Sequence, residues 1–438
     1  MPHQQEDRWL FGAFLGLLLW APLPLGSNRP WSWSLLCAGI CLLAAAWLIQ
    51  FLRQRVTLTP LFQRALPAIA LLAIAQCWVA LQLLPFEWAS TDPYMTKVRL
   101  LQGVAYSLVF CLVLLLVNTR ERMRALVYVA VASGVFQATF AGFMLLSGME
   151  HGFFVETHSD RGRATGSFIN ANHLAGYLEM CLAFGIGLLL ADLAHIPSGN
   201  RREFWRRTIK TLIGPKTVVR LSLAVMVIAL VLSRSRLGNV AFFSSLCGVG
   251  LVGLWLQQRL SRNAILFFVS LLVIDLMIVG NWFGIEQLAE RLGNTNAAHE
   301  QRDEVAGDAL QLIEDNWLTG TGAGTFYTNF PRYRGADFRG YNDHAHNDYL
   351  EFWSEYGAIG SVPLAALVLW SVALSLRAQR ERRDRLAKGI GFAASMAIIS
   401  LLIHSSGDFN LQIPANAMLF MVALAMAWWS RYFAIKSP

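Results

Sequence analysis

Long apolar runs recur from residue 9 to residue 430, and only 15% of the residues are charged, against roughly 25% in soluble domains. A helix needs about 20 mostly apolar residues to cross the hydrocarbon layer of a membrane. Twelve runs approach that length, so we predict an all-α polytopic membrane protein with about 12 transmembrane helices, forming a single membrane domain over residues 1–438. The predicted spans are residues 9–25, 31–52, 65–84, 99–117, 124–147, 171–192, 217–233, 237–257, 264–282, 358–376, 389–405 and 414–431.

Lys and Arg are distributed unequally between alternate loops, by about two to one. The positive-inside rule places the richer loops and both termini in the cytoplasm. Among the loops on the other side, only residues 283–357 are long enough for structure of their own, and residues 297–316 there read as an amphipathic helix. The basic clusters between spans account for the net charge of +8, so nucleic acid is not an expected partner.

The densest cluster of reactive side chains precedes the predicted span at residues 358–376. His344 and His346 lie two residues apart, with Asp348 and Glu351 nearby. A neutral imidazole can accept a proton from a hydroxyl, and a carboxylate can orient it, which predicts a general base. The same pattern fits a solvated pair at a helix entrance, and it also contains metal-ligand types. No second compact His or Cys cluster accompanies it, so no metal is expected.

Arginine pairs stand on the outer side, where the positive-inside bias normally removes them. They are Arg161 with Arg163 and Arg234 with Arg236. A guanidinium group is always charged, and its forked donors match phosphate oxygens, so these pairs could bind a diphosphate at headgroup depth. Snorkelling to the phosphates of membrane lipids explains the same positions.

Two asparagines, Asn170 and Asn172, stand at the start of the predicted span 171–192. The N-terminus of a helix favours an anionic group, although N-capping by either asparagine explains the same residues. The glycine-rich residues 320–326 lack the Lys-Ser/Thr ending of a nucleotide-binding loop. A nucleotide site is therefore not expected.

These motifs resemble the O-antigen ligase and Wzy-type polymerase superfamily of bacterial envelope glycosyltransferases. The family signature is a His followed by Asn, Ser or Gln, nine residues, and Gly-x-x-Gly. Here it is matched by His346-Asn347 and by Gly357-Ala358-Ile359-Gly360. Residues 165–172, 232–238 and 318–326 are also similar to the family.

The resemblance implies a bacterial inner-membrane protein with a large periplasmic loop, here residues 283–357. It implies transfer of a glycan from undecaprenyl diphosphate to an acceptor hydroxyl by a metal-independent, inverting reaction without a cofactor. His346 would be the base, the arginines would bind the donor, and Asn347 and Glu355 would position the histidine and the acceptor. The family often has one histidine here, so His344 leaves the identity of the base open.

Two subtypes differ in the acceptor. A ligase joins O-antigen to lipid A core, whereas a polymerase extends a growing glycan; the length of the outer loop and the His-Asn pair favour the ligase. A transporter is an alternative of another class, for which charges near the midplane of the membrane are expected. The predicted spans contain few such charges, chiefly Glu179, Asp192 and Asp275. A non-catalytic scaffold leaves the outer arginines and histidines unexplained.

Overall fold

The computed structural model describes residues 7–149, 162–192, 215–257, 269, 296–335 and 343–434. Within these residues the longer elements are all helices. They are α1 (Arg8–Trp20), α2 (Pro30–Leu52), α3 (Leu66–Leu81), α4 (Pro93–Leu116), α5 (Arg120–Ser147), α6 (Ala171–Asp192), α7 (Pro215–Leu232), α8 (Arg236–Gln257), α9 (Asn296–Asp315), α10 (Asp348–Glu381), α11 (Arg385–Ser405) and α12 (Pro414–Tyr432).

The predicted all-α polytopic fold is confirmed. Every predicted span coincides with one of these helices except residues 264–282, which lie outside the described residues apart from residue 269. Among the described residues, seven helices are long and apolar enough to cross a membrane, namely α2, α4, α5, α6, α8, α10 and α11. The number of twelve spans and the periplasmic position of the 283–357 loop stay predictions.

The centre of the bundle is formed by α6, α11 and α12. Every residue of α12 from Pro414 to Ser430 is buried. Helices α6 and α11 cross where Gly187 faces Gly389, and a Cβ atom on either glycine would overlap the backbone of the other. The absence of side chains at this crossing therefore lets the two helices approach closely.

One end of the bundle is marked by ion pairs between helix termini. These pairs join the ends that the Lys and Arg count assigns to the cytoplasm, so those ends lie together. The pairs that include Arg120, Arg124 and Arg431 are partly exposed and contribute little stability, so their value here is as markers of topology. The pairs are Asp7–Arg122, Arg120–Asp384, Arg124–Asp192 and Glu381–Arg431.

Helix α10 starts earlier than the predicted span 358–376 and is broken at Gly357. This glycine has φ 59° and ψ −171°, a region that is essentially restricted to glycine. A helix break leaves N–H and C=O groups without intrahelical partners. At this break, Ala358 N donates to Trp317 O at 2.8 Å, and Ile359 N donates to Leu318 O at 3.2 Å.

Residues 318–325 are called here the glycine loop. The glycine loop and α3 donate hydrogen bonds to the carbonyl groups on the other side of the break. Gly320 is in backbone contact with Gly357, because a Cβ atom on Gly357 would lie 2.5 Å from Gly320 N. The glycine loop therefore fixes the broken helix. The hydrogen bonds run from Thr321 N to Ser354 O (2.9 Å), from Gly322 N to Glu355 O (3.1 Å) and from Trp78 Nε1 to Tyr356 O (2.8 Å).

The amphipathic helix predicted at residues 297–316 is present as α9. Its apolar face buries Val305 and Leu312 against Phe326 and Phe330, whereas Leu310 is exposed. The segment around the glycine loop thus has a small apolar cluster of its own.

Candidate functional site

The signature pair His346-Asn347 forms the entrance to α10. Asn347 caps the helix, because its Oδ1 accepts hydrogen bonds from Tyr349 N (2.9 Å) and Leu350 N (3.2 Å). Its Nδ2 donates to Ser406 O at 2.9 Å. His346 has a left-handed backbone with φ 49°, which is uncommon for a residue other than glycine. The asparagine thus turns the chain into the helix and ties it to the loop between α11 and α12, while His346 takes the strained conformation.

His344 is held by a buried carboxylate. Its Nδ1 lies 2.7 Å from Glu351 Oε1, and Glu351 Oε2 accepts a hydrogen bond from Ala345 N at 3.1 Å. Burial alone would lower the pKa of His344, but the charge and hydrogen bond of Glu351 outweigh it and raise the pKa above its ordinary value. The two histidines therefore differ: His344 is paired with an acid, and His346 occupies the strained turn.

The His344–Glu351 pair predicts a pH-dependent stability. Because the folded-state pKa of His344 is raised, the pair stabilises the fold fully below the unfolded pKa of about 6.5 and loses this contribution as the pH rises through the folded-state pKa. We expect Glu351→Gln to lower the melting temperature in detergent more at about pH 6 than at about pH 9. The exposed acid Glu304 of α9 supplies a control, Glu304→Gln, and an equal loss at both pH values in Glu351→Gln contradicts the prediction.

Phe409 connects the histidines. Its ring stacks on His344 with centroids 4.1 Å apart, and it meets His346 and His173 edge to face at 5.0 and 4.7 Å. The ring is 8% exposed. Three imidazoles from two separate parts of the chain thus share one aromatic neighbour, which restricts their orientation. Sequence reasoning missed Phe409, since an aromatic residue beside a membrane span is unexceptional.

The two predicted arginine segments come together. Arg163 Nε donates to Ser233 O at 2.9 Å, and Arg163 Nη2 donates to Asn172 Oδ1 at 2.7 Å. Arg161 lies outside the described residues. The segment that carries Arg163 is therefore fixed directly to the one that carries Arg234 and Arg236.

Arg234 and Arg236 belong to the arginine turn, residues 233–236, which joins α7 to α8. Both side chains are exposed. Arg234 has φ 52°, and Ser235 lies between the arginines with its Oγ accepting a hydrogen bond from Gly238 N at 3.3 Å. The turn is held by its serines and its helix ends, and it presents two guanidinium groups at the surface.

The asparagines at the start of α6 have different partners. Asn170 Oδ1 accepts from Asn172 N at 2.8 Å, so Asn170 supplies the cap. Asn172 Nδ2 donates to Asp408 Oδ2 at 2.5 Å. Burial raises the pKa of Asp408, but His173, His404 and the N–H of Phe409 outweigh burial and hold the pKa well below its ordinary value. Asp408 is therefore a fixed acceptor for the Asn172 amide.

A continuous set of contacts thus leads from the arginines to the histidines. It runs from Arg163 through Asn172 to Asp408, and the next residue, Phe409, packs against His346. The sequence contains each of these residues but no signal of the contact between Asn172 and Asp408, because these two lie 236 residues apart along the chain. The contacts bring the predicted arginine and histidine segments to one end of the bundle.

Glu355 is 2% exposed, and its Oε1 accepts a hydrogen bond from Phe326 N at 3.1 Å. The Glu355 carboxylate therefore holds the end of the glycine loop. The expected role of Glu355 in positioning the acceptor stays a prediction. Among the residues that the structure describes, no group of three or more His, Cys, Asp or Glu side chains is placed to hold a metal ion.

Residues 221–365 match the family model of O-antigen ligase. The resemblance found in the sequence is confirmed over this part of the chain. The matched O-antigen ligase region runs from α7 into α10 and contains the arginine turn, His344 and His346, whereas Arg163, Asn172 and Asp408 lie outside it.

With seven long apolar helices in the part of the chain that the structure describes, the chain is an integral membrane protein, and the matching family indicates glycosyl transfer in the assembly of O-antigen or a related polysaccharide. No curated protein matches the chain at a significant level.

Proposed function

We propose that this protein is an O-antigen ligase of the bacterial inner membrane. It transfers a glycan from undecaprenyl diphosphate to a hydroxyl of lipid A core, at an active site on the periplasmic side. The observation that carries the proposal is the convergence of the arginine and histidine segments through Arg163, Asn172, Asp408 and Phe409. A cationic group for a diphosphate and a base for a hydroxyl are the two requirements of this reaction.

The proposed reaction is a single displacement at the anomeric carbon. The acceptor oxygen forms a bond to that carbon while its proton passes to the imidazole of His346. The bond from the anomeric carbon to the diphosphate oxygen breaks, and its electron pair leaves on the diphosphate. The guanidinium groups of Arg163, Arg234 and Arg236 stabilise this charge. Attack opposite the leaving group inverts the configuration, and the proposal uses no metal or cofactor.

The periplasmic position rests on the charge distribution. The end with the ion pairs of Asp7, Arg122 and Arg124 belongs to the loops richest in Lys and Arg, which the positive-inside rule assigns to the cytoplasm. The arginine turn and the histidines lie at the opposite helix ends. Both termini are then cytoplasmic, and the donor tail lies among membrane lipids.

The test is transfer by the purified full chain in detergent, with undecaprenyl diphosphate–linked glycan as the donor. One arm offers lipid A core as the acceptor, and the other offers a second lipid-linked glycan. Product on lipid A core supports the ligase. Lengthened lipid-linked glycan without core product supports the polymerase, and no product in either arm contradicts both.

A variant of the arginine turn tests the role of this turn in donor binding. We expect Arg234→Asn to lower kcat/KM by about a hundredfold, because it removes a charge that stabilises the leaving group. Asparagine tolerates a left-handed backbone, so the turn keeps its shape. Arg332→Ala, which removes an exposed arginine from the outer loop, is the control and should leave kcat/KM unchanged. Equal rates in both variants contradict a role for the turn in donor binding.

A further inference from the structure

A buried acid and a buried histidine lie within the membrane bundle, outside the reaction described above. Glu179 of α6 and His404 of α11 are both 0% exposed, and His404 Nδ1 is 2.7 Å from Glu179 Oε1. Ser400 Oγ donates to Glu179 Oε2 at 2.7 Å. Ionisable side chains inside a membrane domain are costly and commonly mark function. Neither residue has a role in the reaction proposed above.

The pair reaches the arginine turn through Ser235. His404 Nε2 lies 3.5 Å from Ser235 Oγ, and Ser235 is 2% exposed. The first turn of α8 also lies directly against the acid, since a Cβ atom on Gly238 would be 3.0 Å from Glu179 Oε1. Glu179 and His404 thus contact the segment from which both exposed guanidinium groups project.

The hydrogen bonds have a consistent direction. Ser235 Oγ accepts from Gly238 N, which leaves its proton to donate to His404 Nε2. The proton of His404 Nδ1 is then directed at the Glu179 carboxylate. The order serine, histidine, acid is that of a nucleophilic triad. Here, however, the serine oxygen is buried and caps a helix, so the arrangement fixes the turn and does not attack a substrate.

We propose that Glu179, His404 and Ser235 form a positioning relay for the arginine turn, so that affinity for the lipid diphosphate donor depends on a carboxylate buried in the bundle. Arg234 requires this support, because a left-handed non-glycine residue persists only where its surroundings determine its conformation. The inference rests on the proposed function, in which the arginine turn binds the diphosphate.

The experiment measures KM for undecaprenyl diphosphate–linked glycan, kcat, and the Kd of undecaprenyl diphosphate itself, with the full chain in detergent. We expect Glu179→Gln and Ser235→Ala to raise KM and Kd by about tenfold while kcat changes by less than about twofold. Ser235→Thr retains the hydroxyl and should restore most of the affinity. Ser395→Ala removes another buried, hydrogen-bonded serine of α11 and should leave KM and Kd unchanged.

The outcomes separate the relay from the proposed function. If Arg234→Asn raises Kd but Glu179→Gln and Ser235→Ala do not, the relay is wrong and the arginine assignment stands. If Arg234→Asn leaves Kd unchanged, the donor-binding role itself fails. A fall in kcat at constant KM in Ser235→Ala overturns positioning in favour of a chemical role. Should Glu179→Gln fail to fold, the Ser235→Ala and Ser235→Thr pair decides the question.

Discussion

Replacing His346 with asparagine is expected to lower kcat for glycan transfer by about a hundredfold or more while leaving the yield of folded protein unchanged. The substitution removes the imidazole that would take the proton of the acceptor hydroxyl. Asparagine is the informative replacement, because His346 has φ 49° and asparagine is among the residues that tolerate this region. Alanine would combine the loss of the side chain with added backbone strain. The rate should be measured at saturating donor and acceptor.

His344→Asn is the matched variant, because the same change is made two residues away beside the same Phe409 ring. His344 is bound to Glu351, so its loss should reduce the rate less than the loss of His346. The reverse order, with His344→Asn inactive and His346→Asn active, would assign the base to His344. Full activity in both variants would remove the histidines from the mechanism.

The helices were predictable because membrane spans depend on a local property. An apolar run of sufficient length predicts a membrane-spanning helix without information about neighbouring segments. Each described helix at a predicted span coincides with such a run. The break in α10 is different. It depends on Gly357 meeting Gly320 and on the glycine loop supplying hydrogen bonds. Nothing in the sequence around Gly357 alone indicates that a loop from another part of the chain will be present.

The candidate site was predictable where side-chain chemistry is conspicuous. The outer arginines, the His-Asn pair and the carboxylates beside His344 are unusual at a membrane surface, so they could be selected from the sequence. Their connection could not be predicted, because it runs through Asp408 and Phe409, which join segments that lie far apart in the chain. Such contacts depend on how α6, α10 and α11 pack, which no local pattern records.

The largest expected effect on stability is at the break in α10. Gly357→Ala should lower the free energy of unfolding by about 3 kcal/mol or more, because φ 59° and ψ −171° lie in a region essentially restricted to glycine. The added methyl group would also overlap Leu318 O and approach Gly320 N to 2.5 Å. Leu318 O accepts a hydrogen bond from Ile359 N, and Gly320 N donates one to Asn316 O, so neither backbone group can move without breaking a hydrogen bond. We expect little folded protein by gel filtration in detergent.

Gly307→Ala provides a control, because it is expected to raise the free energy of unfolding rather than lower it. Gly307 is exposed in α9, and nothing lies within 4 Å of a Cβ atom there. Alanine should stabilise that helix by about 0.5–1 kcal/mol. If Gly357→Ala remains as stable as the wild type, the helix is not broken as described, and the glycines of the family signature need another explanation. If it folds poorly while Gly307→Ala melts at a higher temperature, the signature glycine serves the fold.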